Sequence, residues 1–224
     1  MMNQRQIAKK TGVLLLIMAI IAGFSIGYAY PIFDNHEQFE LTKNNILENQ
    51  GMYLSMLIGI LIIIILDFIV AYTLYKYFED NHKNISLISG IIRGVYTLVF
   101  CVATFYLIKN LNTDELTNEI AISNFRQFQL IWNSGLVVFG FHILLIGYLM
   151  KLHLKIPGVL WVLTLIAGIS YIIISILKVE NPNSEIVKAL IIIFMFPMTV
   201  GELGLAIWLL LKGGKETRKK NSPL

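Results

Sequence analysis

The sequence predicts an all-α, polytopic membrane protein: a bundle of six transmembrane helices with both termini in the cytoplasm. Three observations predict it. Of 224 residues, 56% are hydrophobic and only 14% charged, against about 45–50% and about 25% in soluble domains. Mean hydropathy is +0.70. Several uncharged apolar runs also exceed the roughly 18 residues that mark a spanning helix. Together these exclude a soluble globular enzyme, a nucleic-acid binder and a disordered chain. The single cysteine, Cys101, excludes a disulfide framework, a Cys-based zinc site and an iron–sulfur cluster.

The spans are expected at Gly12–Tyr30, Gly51–Tyr77, Ile85–Lys109, Gln127–Lys151, Pro157–Lys178 and Val187–Leu211. Residues 1–11 form a cytoplasmic N-terminus, 12–211 a single transmembrane domain and 212–224 a basic cytoplasmic tail. At 1.5 Å per residue the spans reach roughly 28 to 40 Å, enough for a hydrocarbon core of about 30 Å. A β-barrel would need alternating strands of about ten residues, and the run Ile60–Val70 does not alternate.

The first span carries a basic leader, an apolar run and Gly27 and Ala29 spaced like a cleavage site. Its apolar run is long for a signal peptide, so it is read as a retained helix. Ala19, Gly23 and Gly27 form a small-residue stripe suited to close helix packing. The following segment, Pro31–Gln50, mixes charges with Phe39, Leu41, Ile46 and Leu47, a composition compatible with a short interfacial helix or an external lid. Trp132, Trp161 and Trp208, with Tyr28, Tyr30, Tyr75, Tyr77 and Tyr148, fall near span ends and read as interfacial anchors.

Orientation follows from the basic residues. Twelve of the eighteen Lys and Arg lie on the side of the termini, five lie on the other side, and Arg93 lies within a span. Nine acids flank the spans on the side away from the termini, against three on the terminal side. The positive-inside rule then places both ends in the cytoplasm, with a bacterial inner membrane as the expected location. The basic tail is a topology signal, with some attraction to anionic lipid, and carries no nucleic-acid role. The Asn84-Ile85-Ser86 triplet matches a glycosylation acceptor but falls on the cytoplasmic side.

Four ionisable residues lie well inside spans: Asp67, Arg93, His142 and Glu202. Charge at this depth is costly and marks a functional candidate with a partner to be named. All four sit eight to ten residues from the cytoplasmic ends of their spans, about 12–15 Å in. They form one polar layer supplied by four helices. In the third span Ser86, Ser89, Gly90, Tyr96, Thr97 and Thr104 fall on or near the Arg93 side, so this stripe should face the bundle. In the fourth, Ser134, Gly135 and Val138 stack above His142. Because Arg cannot lose its proton, Arg93 needs a carboxylate, and Asp67, at equal height across a short hairpin, is the default partner. Glu202 is then left to be neutralised by His142 or by a proton. The layer is compatible with a structural charge network or with a ligand or proton site.

No zinc centre is expected, since only one of four histidines lies in a span; paired-histidine haem ligation fails for the same reason. HExxH, P-loop and CxxC patterns are absent from the sequence. No cofactor is implied. An inverted-repeat transporter would place matching charges at mirrored depths, whereas Arg93 and Glu202 lie toward the same face and the fifth span has no charge to match Asp67. Pro197, five residues before Glu202, predicts a kink in the last span.

Several stretches together resemble a bacterial family catalogued as domain of unknown function 4386. They are the segment from Arg5 to Phe24, the run 44–53 before the second span, the Asp67 segment LDFIVAYTLYKYF, the Arg93 segment IIRGVYTL, the His142 segment from Gly140 to Ile172, and the Glu202 segment GELGLAIWLLLKG. The basic residues that the family carries just after the first span and near the start of the second are missing here. The resemblance implies a polytopic membrane protein and singles out Arg93, His142 and Glu202, without a mechanism.

The expected function is a lipid-embedded protein that binds a small molecule or lipid, as a transport accessory or sensor. Arg93 would hold an anionic group, and His142 with Glu202 would handle protons or hydrogen bonds. The alternatives are an intramembrane enzyme acting on a lipid, with Glu202 or Asp67 as general base and His142 as shuttle, and a scaffold that binds another membrane protein.

Overall fold

The computed structural model describes residues 2–34, 42–153, 155–181 and 184–215. The tail from Glu216 onward, and His36, Phe39 and Leu41 of the first loop, lie outside them. Among the described residues six helices are long and apolar enough to cross a membrane: α1 (Gln4–Phe33), α3 (Gln50–Asp80), α4 (His82–Lys109), α5 (Asn118–Leu152), α6 (Gly158–Glu180) and α7 (Glu185–Leu211). A short helix, α2 (Thr42–Glu48), precedes α3. No strand occurs among the described residues. The chain is a multi-pass membrane protein, and an even number of spans leaves its described ends on one side.

The helices outrun their apolar cores where polar caps start them. α1 begins at Gln4, eight residues before the expected Gly12, because Asn3 and Gln6 form a reciprocal capping box. α5 begins at Asn118, nine residues before the expected Gln127, where the Thr117 hydroxyl accepts from the Ile120 N–H at 3.2 Å. The expected loop between the second and third spans shrinks to one break at His82 (φ −144°, ψ 58°). The α3–α4 hairpin keeps a constant antiparallel register. Tyr53 Oη donates to Leu107 O at 2.7 Å, Arg93 meets Asp67, and Ser86 Oγ donates to Tyr75 O at 2.8 Å.

The helices close a ring. The α3–α4 hairpin packs on α5, α5 on α6, α6 on α7, and α7 returns to α1, which also packs on the hairpin. α1 and α7 approach closely near the described ends of the chain, where a Cβ on Gly12 would stand 2.7 Å from Ala206 O. Arg5 reaches across the same contact and donates to the terminal carbonyls of α7, Leu210 and Gly213 at 2.7 Å and Leu209 at 3.2 Å. The expected packing stripe through Gly23 and Gly27 is not where α1 meets its neighbours. Nothing from another element lies within 4 Å of a Cβ built on either. Here α1 widens into a π-helical segment, Gly23–Ala29, packed on the hairpin through Ser25 and Gly59.

Two apolar cores fill the ring. One, away from the termini, gathers Tyr53, Phe100, Phe125, Phe128 and Phe139. The other, near the termini, gathers Val70, Leu74, Phe78, Leu149 and Leu209. Several expected interfacial anchors belong to these cores. Trp132 stacks on Phe100 and Phe128, and Tyr30, Tyr77 and Trp208 are buried, whereas Tyr28 and Tyr148 are exposed. The outward faces are apolar, with Ile20, Ile65 and Ile192 exposed to the lipid side.

Candidate functional site

The polar layer lies between the two cores. Helix 3.6-residue spacing places Asp67 between Ile64 and Val70 of α3, and His142 between Phe139 and Ile146 of α5, so each side chain leaves its helix toward the centre. Asp67, Arg93 and His142 are all nearly inaccessible.

Arg93 and Asp67 form the expected pair. The guanidinium Nε and Nη2 both donate to Asp67 Oδ1, at 3.0 and 2.5 Å. Nη1 faces His142 Nε2 at 3.2 Å, and the guanidinium carbon lies 5.4 Å from the centre of the Phe139 ring. His142 Nδ1 lies 2.9 Å from both Ser89 O and Ser89 Oγ. A guanidinium has only donors, so Nε2 must be the accepting nitrogen. The ring proton then sits on Nδ1 and is given to Ser89 O. His142 is thereby held as a neutral imidazole in one tautomer, by contacts on α4 alone.

Glu202 does not meet His142, the side chain expected to neutralise it. Its Oε1 accepts the Tyr171 hydroxyl at 2.6 Å, a bond from α6 to α7 that involves no base. His142 is committed to Ser89 and Arg93 instead. With Asp67 balancing Arg93 and His142 neutral, Glu202 is the surplus acid of the layer.

The polar stripe of α4 faces inward as expected. Ser86, Ser89, Thr97 and Thr104 are buried, and the two threonine hydroxyls return to Arg93 O and Phe100 O at 2.8 Å. On α5 the rotation differs by one residue from the expected stack. Ser134 is exposed and bonds its own helix at Leu130 O, while Asn133 turns inward and is buried. Asn133 Oδ1 has no hydrogen-bond partner among the described residues.

These groups border a cavity of about 620 Å³ lined by α1, α3, α4, α5, α6 and α7. Asp67, Arg93, Asn133, Tyr171, Lys178 and Glu202 are among the polar groups of its wall. Its apolar wall includes Met18 of α1, Ile63 of α3, Leu136 of α5, Ile174 of α6 and Met198 of α7. The volume lies within the range of about 300–1,000 Å³ typical of small-molecule sites, as does the mixture of apolar lining with a few convergent polar groups. Tyr171 and Asn133 were not singled out by sequence. Their only signal was an asparagine and a tyrosine six and seven residues inside the ends of the expected spans. No group of three or more metal-ligating side chains occurs among the described residues.

Comparison with known proteins agrees with the sequence motifs. Residues 10–213 match the family model described as Domain of unknown function (DUF4386). An archaeal protein of Archaeoglobus fulgidus, named Uncharacterized protein, is 30% identical over 167 residues, which cover 75% of this chain and 89% of that protein. No solved structure matches the chain.

Proposed function

We propose that this chain, which belongs to the family described as Domain of unknown function (DUF4386), binds a small molecule or lipid inside the membrane. In this reading it is a transport-accessory or sensory protein and not an enzyme. The observation that carries the reading is the 620 Å³ cavity with a half-buried acid, Glu202, on its wall. A purely structural charge network would have paired every member, and Glu202 meets only a tyrosine hydroxyl. The lipid-enzyme alternative draws less support. It needs Asp67 or Glu202 as base with His142 as shuttle, yet Arg93 holds Asp67 and fixes the tautomer of His142.

The site in this reading comprises Glu202 as the group that meets the ligand, with Asp67, Arg93 and His142 as the rigid layer beneath it. The location that fits the distribution of basic residues is a bacterial cytoplasmic (inner) membrane with both ends in the cytoplasm.

Native mass spectrometry of the protein released from a mild non-ionic detergent tests the binding reading. A retained adduct is expected, and it should be lost from Leu136→Trp, which fills the cavity. An adduct-free spectrum, or an adduct indifferent to Leu136→Trp, would sink it. Fusion of a cytoplasm-active reporter to the C-terminus tests the orientation, and activity only in the opposite compartment would reverse it.

A further inference from the structure

The cavity has a way in. Gly12 of α1 faces Ala206 and Leu210 of α7, so the two antiparallel helices are in register at that level. Eleven residues outward, α1 reaches Gly23, where its π-helical segment starts. Eleven residues back along α7 from the midpoint of that contact lies Pro197. The two helices are therefore irregular at the same depth. π-segments and internal prolines both redirect a helix axis. Beyond this level the π-segment stays on the hairpin and does not meet α7. Gly23, Met195 and Thr199 line the cavity there and are also exposed. The opening faces the flank of the bundle, toward lipid in the leaflet away from the termini.

The wall selects a charge. An anion entering would find Arg93 already donating to Asp67 and His142, and would meet the Glu202 carboxyl. Among the described residues, a cation finds Glu202 with no basic side chain in hydrogen-bond contact, and Asn133 Oδ1, a buried acceptor without a donor. Around them stand the rings of Tyr96, Trp132 and Tyr171, and aromatic faces attract desolvated cations. Met18, Met195 and Met198 add polarisable, adaptable contacts. Lys178 also lines the cavity, but seven residues along α6 from Tyr171, about 10 Å away. Burial is the main influence on its ammonium, and the Asp34 charge acts second.

We infer that the cavity takes a lipophilic cation from the membrane, with Glu202 as its counter-ion. This rests on the ligand-binding reading above and assigns the ligand's charge and route.

The test uses two ions of nearly equal shape and opposite charge, tetraphenylphosphonium and tetraphenylborate. Equilibrium binding of each is measured on the full chain in non-ionic detergent at neutral pH. Saturable binding of one tetraphenylphosphonium per chain is expected, weakened tenfold or more by Glu202→Gln. Glu202→Gln keeps an oxygen for the Tyr171 hydroxyl, and its folding is checked by thermal melt. Should it fail to fold, Thr199→Trp at the opening serves instead and is expected to reduce binding at least fivefold. Absence of tetraphenylphosphonium binding, equal or tighter binding of tetraphenylborate, or indifference to these variants overturns the inference. If that happens while native mass spectra still show an adduct lost in Leu136→Trp, the charge assignment falls and the ligand-binding reading stands. If the adduct is missing too, both fall.

Discussion

Arg93 dictates the protonation of His142: its Nη1–H points at His142 Nε2 across 3.2 Å, so that nitrogen must present a lone pair. Nitrogen NMR of selectively labelled protein should show a neutral ring protonated on Nδ1. A protonated Nε2 or an imidazolium signal at neutral pH would refute the assignment.

The Asp67–Arg93 pair is buried on both sides. Removing one partner strands the other charge in the interior, which costs about 3–5 kcal/mol, whereas replacing both by apolar residues is often neutral. Asp67→Leu should therefore destabilise the protein severely, and adding Arg93→Met should restore most of the loss. Thermal unfolding in detergent measures both, and a double variant as unstable as the single one would contradict the expectation.

Gly12 and Gly23 should respond oppositely to the same change. Gly12→Leu drives a side chain into Ala206 O and Leu210 and should cost at least the about 1–3 kcal/mol of an overpacked core. Gly23→Leu meets open space and should stay within about 0.5 kcal/mol. Equal effects in melting experiments would mean that the small-residue stripe of α1 is a packing face after all.

Arg5→Ala removes three hydrogen bonds to the last carbonyls of α7. Hydrogen bonds involving a charged group contribute about 1.5–3 kcal/mol, and a loss in that range is expected. Arg5→Lys should recover only part of it, since an ammonium lacks the planar fork. Full recovery would show that charge near the helix terminus suffices.

His153 lies between α5 and α6, in contact with the rings of Tyr77, Phe78 and Trp208. Burial, with the Lys155 charge acting in the same direction, holds its pKa below the ordinary histidine value. The unfolded chain therefore binds this proton more readily than the folded one. Its contribution to stability is complete above about pH 6.5 and is lost as pH falls through the lowered folded value. Melting temperature should drop on acidification from pH 7.5 to 5, and His153→Phe should flatten that drop. An unchanged slope in the variant would assign the acid sensitivity elsewhere.

How much of this was legible in the sequence depended on whether one helix sufficed to decide it. The depth of the four charges followed from counting residues along single spans, and the Asp67–Arg93 pair from a hairpin too short to shift register. The partner of Glu202 depended on the relative rotation of α6 and α7, and both are apolar on nearly every face, so periodicity gave no rotation angle. The same ambiguity exchanged Ser134 for Asn133, neighbours about 100° apart on α5. The tautomer of His142 required a three-residue geometry that no single segment contains. The π-segment of α1 arose in a run of small and aromatic residues, GFSIGYA, that reads as ordinary helix.

The ring's closure also sets a timetable for assembly. Arg5 and its acceptor Leu209 are 204 residues apart in sequence. At synthesis rates of about 5–20 residues per second, the first helix waits roughly 10–40 seconds for the carbonyls it caps. Until the last helix arrives, the seam beside α1 stands open to lipid along its whole length, and the Asp67–Arg93 hairpin has one flank uncovered. The nascent protein is therefore most vulnerable to quality-control proteases late in synthesis. A mutation that delays insertion of α7 should be cleared more readily than one that weakens α3 or α4, whose partners emerge within seconds of each other.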